Sequence, residues 1–503
     1  MYHSLTAKRA GSALVLVIGI TGVLVTLGVV ALQVLQTRYR QVHQVASWQE
    51  ALLVAEAGVD IALNEIRKSV SDPSNAFRTQ DGWSRAGVDP AADSETGSLD
   101  PAAGALVYTV PLLLRDSEGG KSSSCKLEVD APESLRNPDG AQWYRVRCRG
   151  FAEVPGGRVV AADKIDNVLR KFDFYRDHIT GTEVTAPQVT RSIEVIVKPV
   201  GAFSMALFGV NSIDMNNHNL VVDSYDSRAP DKSTNGAYPF GDDNKRQWNG
   251  NIAVNKTILE VGDAYIYGTV STNGGVALNT DNVTGNRENP DDKIRDDFYQ
   301  EVANVQQPNV PPDPGTPANV TGTTELIARA GSPSQYLLGT LSLSGQSTLR
   351  IRGAADGSPT YAQIVVTSDI SISGQGAITL DPGVNLRVFV GGNAAITGNG
   401  VSNPNSPLNF QLYGIDRPKN TDGSPQSPGS IKIAGNGGFS GAVYAPNYNI
   451  EMVGGGNADT IFGSFIGWNI TMTGNQSVHY DEALADGGLV SDYKVVSWFE
   501  DTR

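Results

Sequence analysis

Few residues in this chain are spaced for chemistry. The five histidines, His3, His43, His178, His218 and His479, are scattered, and none falls in an HExxH or comparable ligand spacing. The nearest approach to a metal site is Asp223 and Asp226, with Asp214 as a third carboxylate. A calcium loop needs about 6–8 oxygen ligands, so these three are weak candidates. The run Asp223-Ser-Tyr-Asp226 reads more simply as an Asp-capped turn. Neither metal nor cofactor is expected. The string Gly120-Lys121-Ser122 is not a phosphate loop, because Arg115 stands where that motif needs its first glycine. No GxSxG elbow is present. Cys125 and Cys148, the two cysteines, lie in strand-like runs, and outside the cytoplasm such a pair is expected to form a disulfide. Tyr225, Tyr444, Tyr448 and Trp468 are candidates for aromatic platforms that hold glycan, and core packing explains them equally well.

The elements around these residues suggest a structural role. The chain has 503 residues, long enough for two or three domains. Only 18% of residues are charged, and there are 55 glycines, a balance that favours β structure with many turns. A net charge of −14, without Lys/Arg clusters, argues against nucleic acid as a partner.

From Ala10 to Thr37 no residue is charged, and Lys8-Arg9 and Arg38 bound the run. At about 1.5 Å per residue it crosses a hydrocarbon core about 30 Å thick. Beyond it, Val45, Trp48, Leu52, Ala55, Val59, Ala62 and Ile66 follow at spacings of three and four. This is a helical stripe made to face a partner surface or the protein's own domain. Gly58 interrupts it, at a helix cost of about 1 kcal/mol relative to Ala.

Segment 69–104 reads as a linker. Strands are expected at 105–114, 125–131, 143–154 and 191–200, forming a small antiparallel sheet over 105–200 that packs on the helix. A helical stretch is expected near Asp163–Phe174. From about Phe203 a short pattern recurs: apolar, any, apolar, any, Gly. Its copies include Leu341/Leu343/Gly345, Ile370/Ile372/Gly374, Ala394/Ile396/Gly398, Ile431/Ile433/Gly435, Ile450/Met452/Gly454 and Ile470/Met472/Gly474. Ser212-Ile213-Asp214 has similar texture. Repeats of this length predict a β-solenoid over 203–503, a right-handed parallel β-helix with Asn at its corners. A Greek-key β-sandwich is the alternative. Within the repeats, 304–323 reads as a Pro-rich excursion, preceded by a short acidic helix over 291–302. The final Val495–Glu500 reads as a last strand or cap. Outward repeat positions are mostly Ser, Thr and Ala, without the paired acids of a polysaccharide-degrading site. Lys432 and Glu451 occupy equivalent positions and are expected to pair on the surface. No enzyme activity is expected.

Basic residues, then Gly11, then a long apolar helix and the motif AEAGVDIAL (Ala55–Leu63) resemble the N-terminus of PilX-type pilus assembly proteins, which are type IV pilin-like subunits. The resemblance spans residues 8–68. It implies that residues 1–11 are a leader cut by prepilin peptidase between Gly11 and Ser12, and that helix 12–68 packs among other pilin-like subunits. Leu16 stands where major pilins carry Glu. Residues 441–484 resemble C-terminal domains attached to such N-termini, for which no activity is assigned. The expectation is a single-pass inner-membrane protein with its bulk periplasmic or on a surface filament. Its role would be assembly, display or adhesion, with a surface glycan as a further partner. The alternatives are a permanently anchored glycan-binding envelope protein and a β-helix polysaccharide-degrading enzyme.

Overall fold

The structure is a computed structural model that describes residues 7–71, 73–87, 97–112, 123–132, 142–153, 188–215, 220–256, 258–300, 302–311, 318–435, 438–454, 461–474 and 476–501. The helix expected at Asp163–Phe174 and the Gly120–Ser122 loop lie outside these residues.

One helix runs from Ala7 to Ser71, about 100 Å at 1.5 Å per residue. Its two halves meet different surroundings. Leu16 to Leu35 present bare apolar side chains, and this part is long and apolar enough to cross a membrane. From Ala51 onward the helix is covered. Ala51, Val54, Ala55, Val59, Ala62 and Ile66 are buried, while Val45 and Trp48 at the start of the stripe stay exposed.

The cover is a six-stranded antiparallel sheet. Its strands lie in the order Ser84–Arg85, Leu106–Leu112, Ser123–Asp130, Tyr144–Glu153, Gln188–Gly201 and Val490–Asp501. Alternate residues point at the helix, as the two-residue strand period requires. Leu127, Val129, Val146, Ile193, Val195 and Val197 form the sheet side of this core. The last strand expected at Val495–Glu500 is present as Val490–Asp501, but it closes this sheet beside Gln188–Gly201 rather than capping the repeats.

Two glycines let helix and sheet touch. A Cβ on Gly150 would lie 2.0 Å from the Ala51 carbonyl oxygen. A Cβ on Gly58 would lie 2.5 Å from Cys148 Sγ and 2.9 Å from Cys125 Sγ. The glycine that weakens the helix is therefore the seat for both sulfurs. Cys125 and Cys148 are buried thiols in this structure, not joined in the expected disulfide. The register explains their geometry: Cys125 faces Gly150 and Cys148 faces Leu127, so they are diagonal neighbours on adjacent strands. The neighbouring Cys125 thiol and then burial push the Cys148 thiol far above the usual thiol range.

The rest of the chain forms a strand-rich body paired in parallel. A Greek-key sandwich is antiparallel, so that alternative is excluded. From Asn319 to Phe439 the strands visit three ladders in rotation, each pairing with the third strand after it. The recurring sequence pattern occupies one ladder in register. Leu341 pairs with Ile370, then Ala394, Ile431, Ile450, Ile470 and finally Ile213. These side chains point inward and form the apolar column. Gly345, Gly374, Gly398 and Gly474 take positive φ at the corners. A Cβ on Gly398 would lie 2.3 Å from the Gly374 carbonyl oxygen, so corner stacks on corner through glycine. Left-handed geometry falls to Gly at these corners, and Asn279, which follows the rung Val276–Leu278, takes it too at φ 56°. The asparagines instead link rungs: Asn469 Nδ2 donates to Asn449 Oδ1 at 2.8 Å, and Asn211 Nδ2 donates to Asn469 Oδ1 at 2.7 Å. Lys432 and Glu451 face each other in the ladder as expected, with Nζ 3.1 Å from each carboxylate oxygen. Half-exposed, this pair contributes under about 1 kcal/mol.

The order of rungs differs from the order of sequence. Leu207–Asp214, the first body strand, pairs with Ile461–Thr473, near the chain's end. From there the chain runs to one end of the ladders at Ile294–Arg295, then restarts at the other end with Asn319–Val320. The described residues 302–311 between them lie against the body. Asp416 N donates to Val305 O at 2.8 Å, Tyr444 Oη donates to Ala303 O at 2.9 Å, and Val305 and Val310 are buried. This part of the expected Pro-rich excursion is a strap held on the body. The acidic helix expected over 291–302 is instead the short strand Ile294–Arg295, which pairs with Val270–Ser271. Ladder hydrogen bonds here outweigh helix propensity.

Two substitutions test the helix–sheet contact. Gly58→Ala should lower stability by about 1–3 kcal/mol despite its gain in helix propensity. Gly150→Ala, which meets backbone rather than sulfur, should cost more. Urea unfolding of the full chain in detergent reads both; a stabilised Gly58→Ala protein would show that the contact is loose.

Candidate functional site

The most built surface of the body is a groove of ≈1020 Å³ along the ladder that begins at Thr324–Ile327. Its floor is one outward-facing column. Arg350 pairs with Thr379, Thr379 with Ser402, Ser440 with Phe462, Phe462 with His479, and His479 with Asp223. Ser440 follows Phe439, which pairs with Val401, so it continues the column beyond Ser402. The chemistry changes along this column. Arg350 is held by Asp381 at 2.9 Å. Then come three hydroxyls, then an aromatic ring, then a buried polar cluster.

One bank is the loop 403–407. Asn403 Nδ2 donates to Ser440 O at 3.2 Å, and Asn405 Oδ1 accepts from Gly383 N at 2.8 Å. Asn and Ser hold loops in this way by substituting for backbone partners. The other bank is the segment from Tyr225 to Phe240. It is fastened by Asp223, which is fully buried. Asp223 Oδ2 accepts from Tyr238 Oη at 2.6 Å and lies 3.0 Å from Arg246 Nε, while Oδ1 lies 2.6 Å from His479 Nδ1. The Tyr238 ring stacks on His479 with centroids 3.7 Å apart. Burial and then the Asp223 charge push the Tyr238 hydroxyl well above the usual phenol range. Asp223 and His479 are closed from solvent, so this cluster anchors the bank. A general base must reach its substrate.

A second buried carboxylate ties the banks together. Asp481 Oδ1 accepts from Ser227 N at 3.0 Å on one bank, and Oδ2 accepts from Ser406 Oγ at 3.0 Å on the other. Burial raises its pKa, although four hydrogen bonds from Ser227, Ala483 and Ser406 work against that. Among the described residues none of the lining side chains carries a charge: they are hydroxyls, amides, small apolar groups and the rings of Tyr225, Tyr238, Phe240, Phe439 and Phe462.

The three candidate aspartates do not converge. Asp223 belongs to the anchor cluster, Asp226 is paired with Arg228 at 2.9 Å, and Asp214 sits on the ladder beside Thr471 and Glu260. Among the described residues, no group of three or more His, Cys, Asp or Glu is placed to hold a metal ion. Three of the four platform candidates fail as well. Tyr444 and Tyr448 are buried, with the Tyr448 hydroxyl donating to Val390 O at 2.9 Å, and Trp468 lies under Lys256. Tyr225 does line the groove, though almost fully buried. The exposed ring is Phe240, at 60%. Phe240, Phe462 and Asp481 escape a reading by pattern, because none lies in the recurring repeat. A usable signal was Phe462, an aromatic at an outward position where other rungs carry Ser or Thr.

Asp481 supplies a test with a defined sign. Its raised pKa means that its stabilising contribution is complete below the ordinary carboxylate range and is lost as pH rises through the raised value. At neutral pH, Asp481→Asn keeps an acceptor for Ser227 N and Ala483 N, and Ser406 Oγ can turn to accept. It should hold or gain stability and flatten the pH profile. Asp481→Ala leaves the buried donors unmet and should cost about 1–3 kcal/mol. Denaturation midpoints across pH 4–8 (roughly the window in which a raised carboxyl titrates) check both.

The comparisons with known proteins reach part of this site. The profile of a domain of unknown function, DUF7305, matches residues 319–487. The match starts at the first rung, Asn319–Val320, and ends just past Asp486. It takes in the groove floor, the 403–407 bank and Asp481, and leaves out the Tyr225–Phe240 bank. No curated protein and no solved structure matches the chain.

Proposed function

We propose that this protein is a membrane-anchored, pilin-like subunit that takes part in assembling a type IV pilus or related filament, or in displaying an adhesive body on one. The observation that carries this reading is the division of the 65-residue helix. Its first part is apolar and uncovered, and its second part is covered by an antiparallel sheet. A free apolar helix of this length has to find lipid or other helices, and neighbouring pilin-like helices supply both anchorage and assembly. Val45 and Trp48 extend the uncovered surface below the sheet. The rotation of strands through three parallel ladders is the pattern of a right-handed parallel β-helix, the hand that parallel crossovers take in roughly 98% of cases. In this reading the inner membrane holds the helix, and the body lies in the periplasm or on the filament.

The N-terminus of protein recovered from membranes tests the reading. The expected mature start is Ser12, dependent on an active prepilin peptidase, which removes the leader through Gly11. Loss of cleavage in a Gly11→Leu variant should also abolish co-purification with filaments. An intact leader in cells with active peptidase would refute the pilin pathway. The remaining reading would be a permanently anchored envelope protein.

A further inference from the structure

We propose that the groove between the 403–407 loop and the Tyr225–Phe240 segment is a binding site for a neutral, extended oligosaccharide. This assignment concerns the body alone and does not rest on leader processing.

Charge selects the ligand class first. The protein carries a net charge of −14, yet among the described residues no ionised side chain lines this groove. Arg350 stands beside its open end and is already committed to Asp381 and Glu325. A polyanion would find no free cation here, and nucleic acid needs several.

Donor and acceptor chemistry selects next. Hydroxyls and primary amides both donate and accept. Thr379, Ser402 and Ser440 on the floor, with Asn399 at the side, present that mixed set. Sugar hydroxyls present the same mixture, so each side can satisfy the other without a fixed polarity. An extended peptide is a poorer fit. Peptides add to sheets by pairing with free backbone at an edge, and this floor is the face of a ladder whose backbone groups already pair above and below.

Shape selects last. From Thr379 to Phe462 the column spans four rungs, roughly 14 Å at the usual strand spacing. This repeat suits a chain of rings laid along the ladder. The groove ends in Phe462 and Phe240, whose ring centroids are 6.0 Å apart in an edge-to-face arrangement. Phe240 is 60% exposed although it sits on a bank held by a buried ionic cluster. A rigid, exposed ring offers an apolar face to the C–H side of a sugar at little entropic cost. The banks are fixed before any ligand arrives, because Asp481 joins Ser227 to Ser406.

The test is calorimetric titration of the full chain, in a sugar-free detergent, with cellohexaose, laminarihexaose, maltohexaose and chitohexaose, and with hexagalacturonate as the charged counterpart. At least one neutral hexasaccharide should bind more tightly than about 1 mM, and hexagalacturonate more weakly than that one. Phe240→Ala should weaken binding about three- to tenfold. Ser402→Trp, which fills the floor from an exposed position, should weaken it at least as much. Both variants change exposed side chains, so unchanged denaturation midpoints are expected and separate lost binding from lost fold. The assignment is overturned if no neutral hexasaccharide binds at that level, if hexagalacturonate is preferred, or if both variants bind as the parent does. Binding of an uncharged Ser/Gly peptide without any of the sugars would equally overturn it.

Discussion

The structure depends on one pairing, that of Ile461–Thr473 with Leu207–Asp214. A parallel ladder leaves unpaired backbone groups at each end, and an end is a liability. Here the place where the chain enters the body is paired with the place where it leaves. Side chains continue the ladder across the joint: Asn211 and Ser212 both bond Asn469, and the asparagines are 258 residues apart in sequence. Entry and exit therefore sit side by side inside the body, not at an end of its ladders. Gln188–Gly201 and Val490–Asp501 can then pair as neighbours in the antiparallel sheet. The sheet that covers the helix is completed by the strand Val490–Asp501, which ties it to the body.

The same pairing creates the groove. Val478–Asp481 comes to lie on Val221–Tyr225, which brings His479 onto Asp223 and Asp481 beside Ser227. Buried carboxylates are costly unless fully bonded, and both are. Tyr238, Arg246 and His479 surround Asp223, and backbone N–H groups with Ser406 surround Asp481. At the edge of this region Arg228 and Lys198 both bond Asp486, each at 2.5 Å, joining the groove bank, the chain exit and the antiparallel sheet. Burial works to raise the Asp486 pKa, yet these two cations hold it below the ordinary carboxylate value. Its contribution is present above that value and is lost as pH falls through the depressed one.

Glycine serves two opposite purposes here. At the ladder corners it takes positive φ, and stacked carbonyls leave no room for a Cβ above Gly374. In the helix and sheet it does something else. Gly58 and Gly150 remove side chains so that helix backbone, strand backbone and two thiols fit in one layer. In the helix, propensity is given up for contact.

The sequence by itself determined whatever is written in a local period. The uncharged run from Ala10 to Thr37 marks an apolar helix because length and polarity suffice for that. The pattern from Leu341 to Met472 marks one ladder, because stacking identical rungs requires inward apolar residues and a glycine corner at matching positions. The Lys432–Glu451 pair followed from that register. Tertiary structure decided everything that joins distant segments. The other two ladders carry no regular motif, since their strands vary in length and bend. That Ile213 stacks on Ile470, that Val490–Asp501 leaves the body, and that Phe240 and Phe462 meet in one groove whose banks Asp481 joins are consequences of chain closure across more than two hundred residues. Closure leaves no period in the sequence, because each such contact is made once.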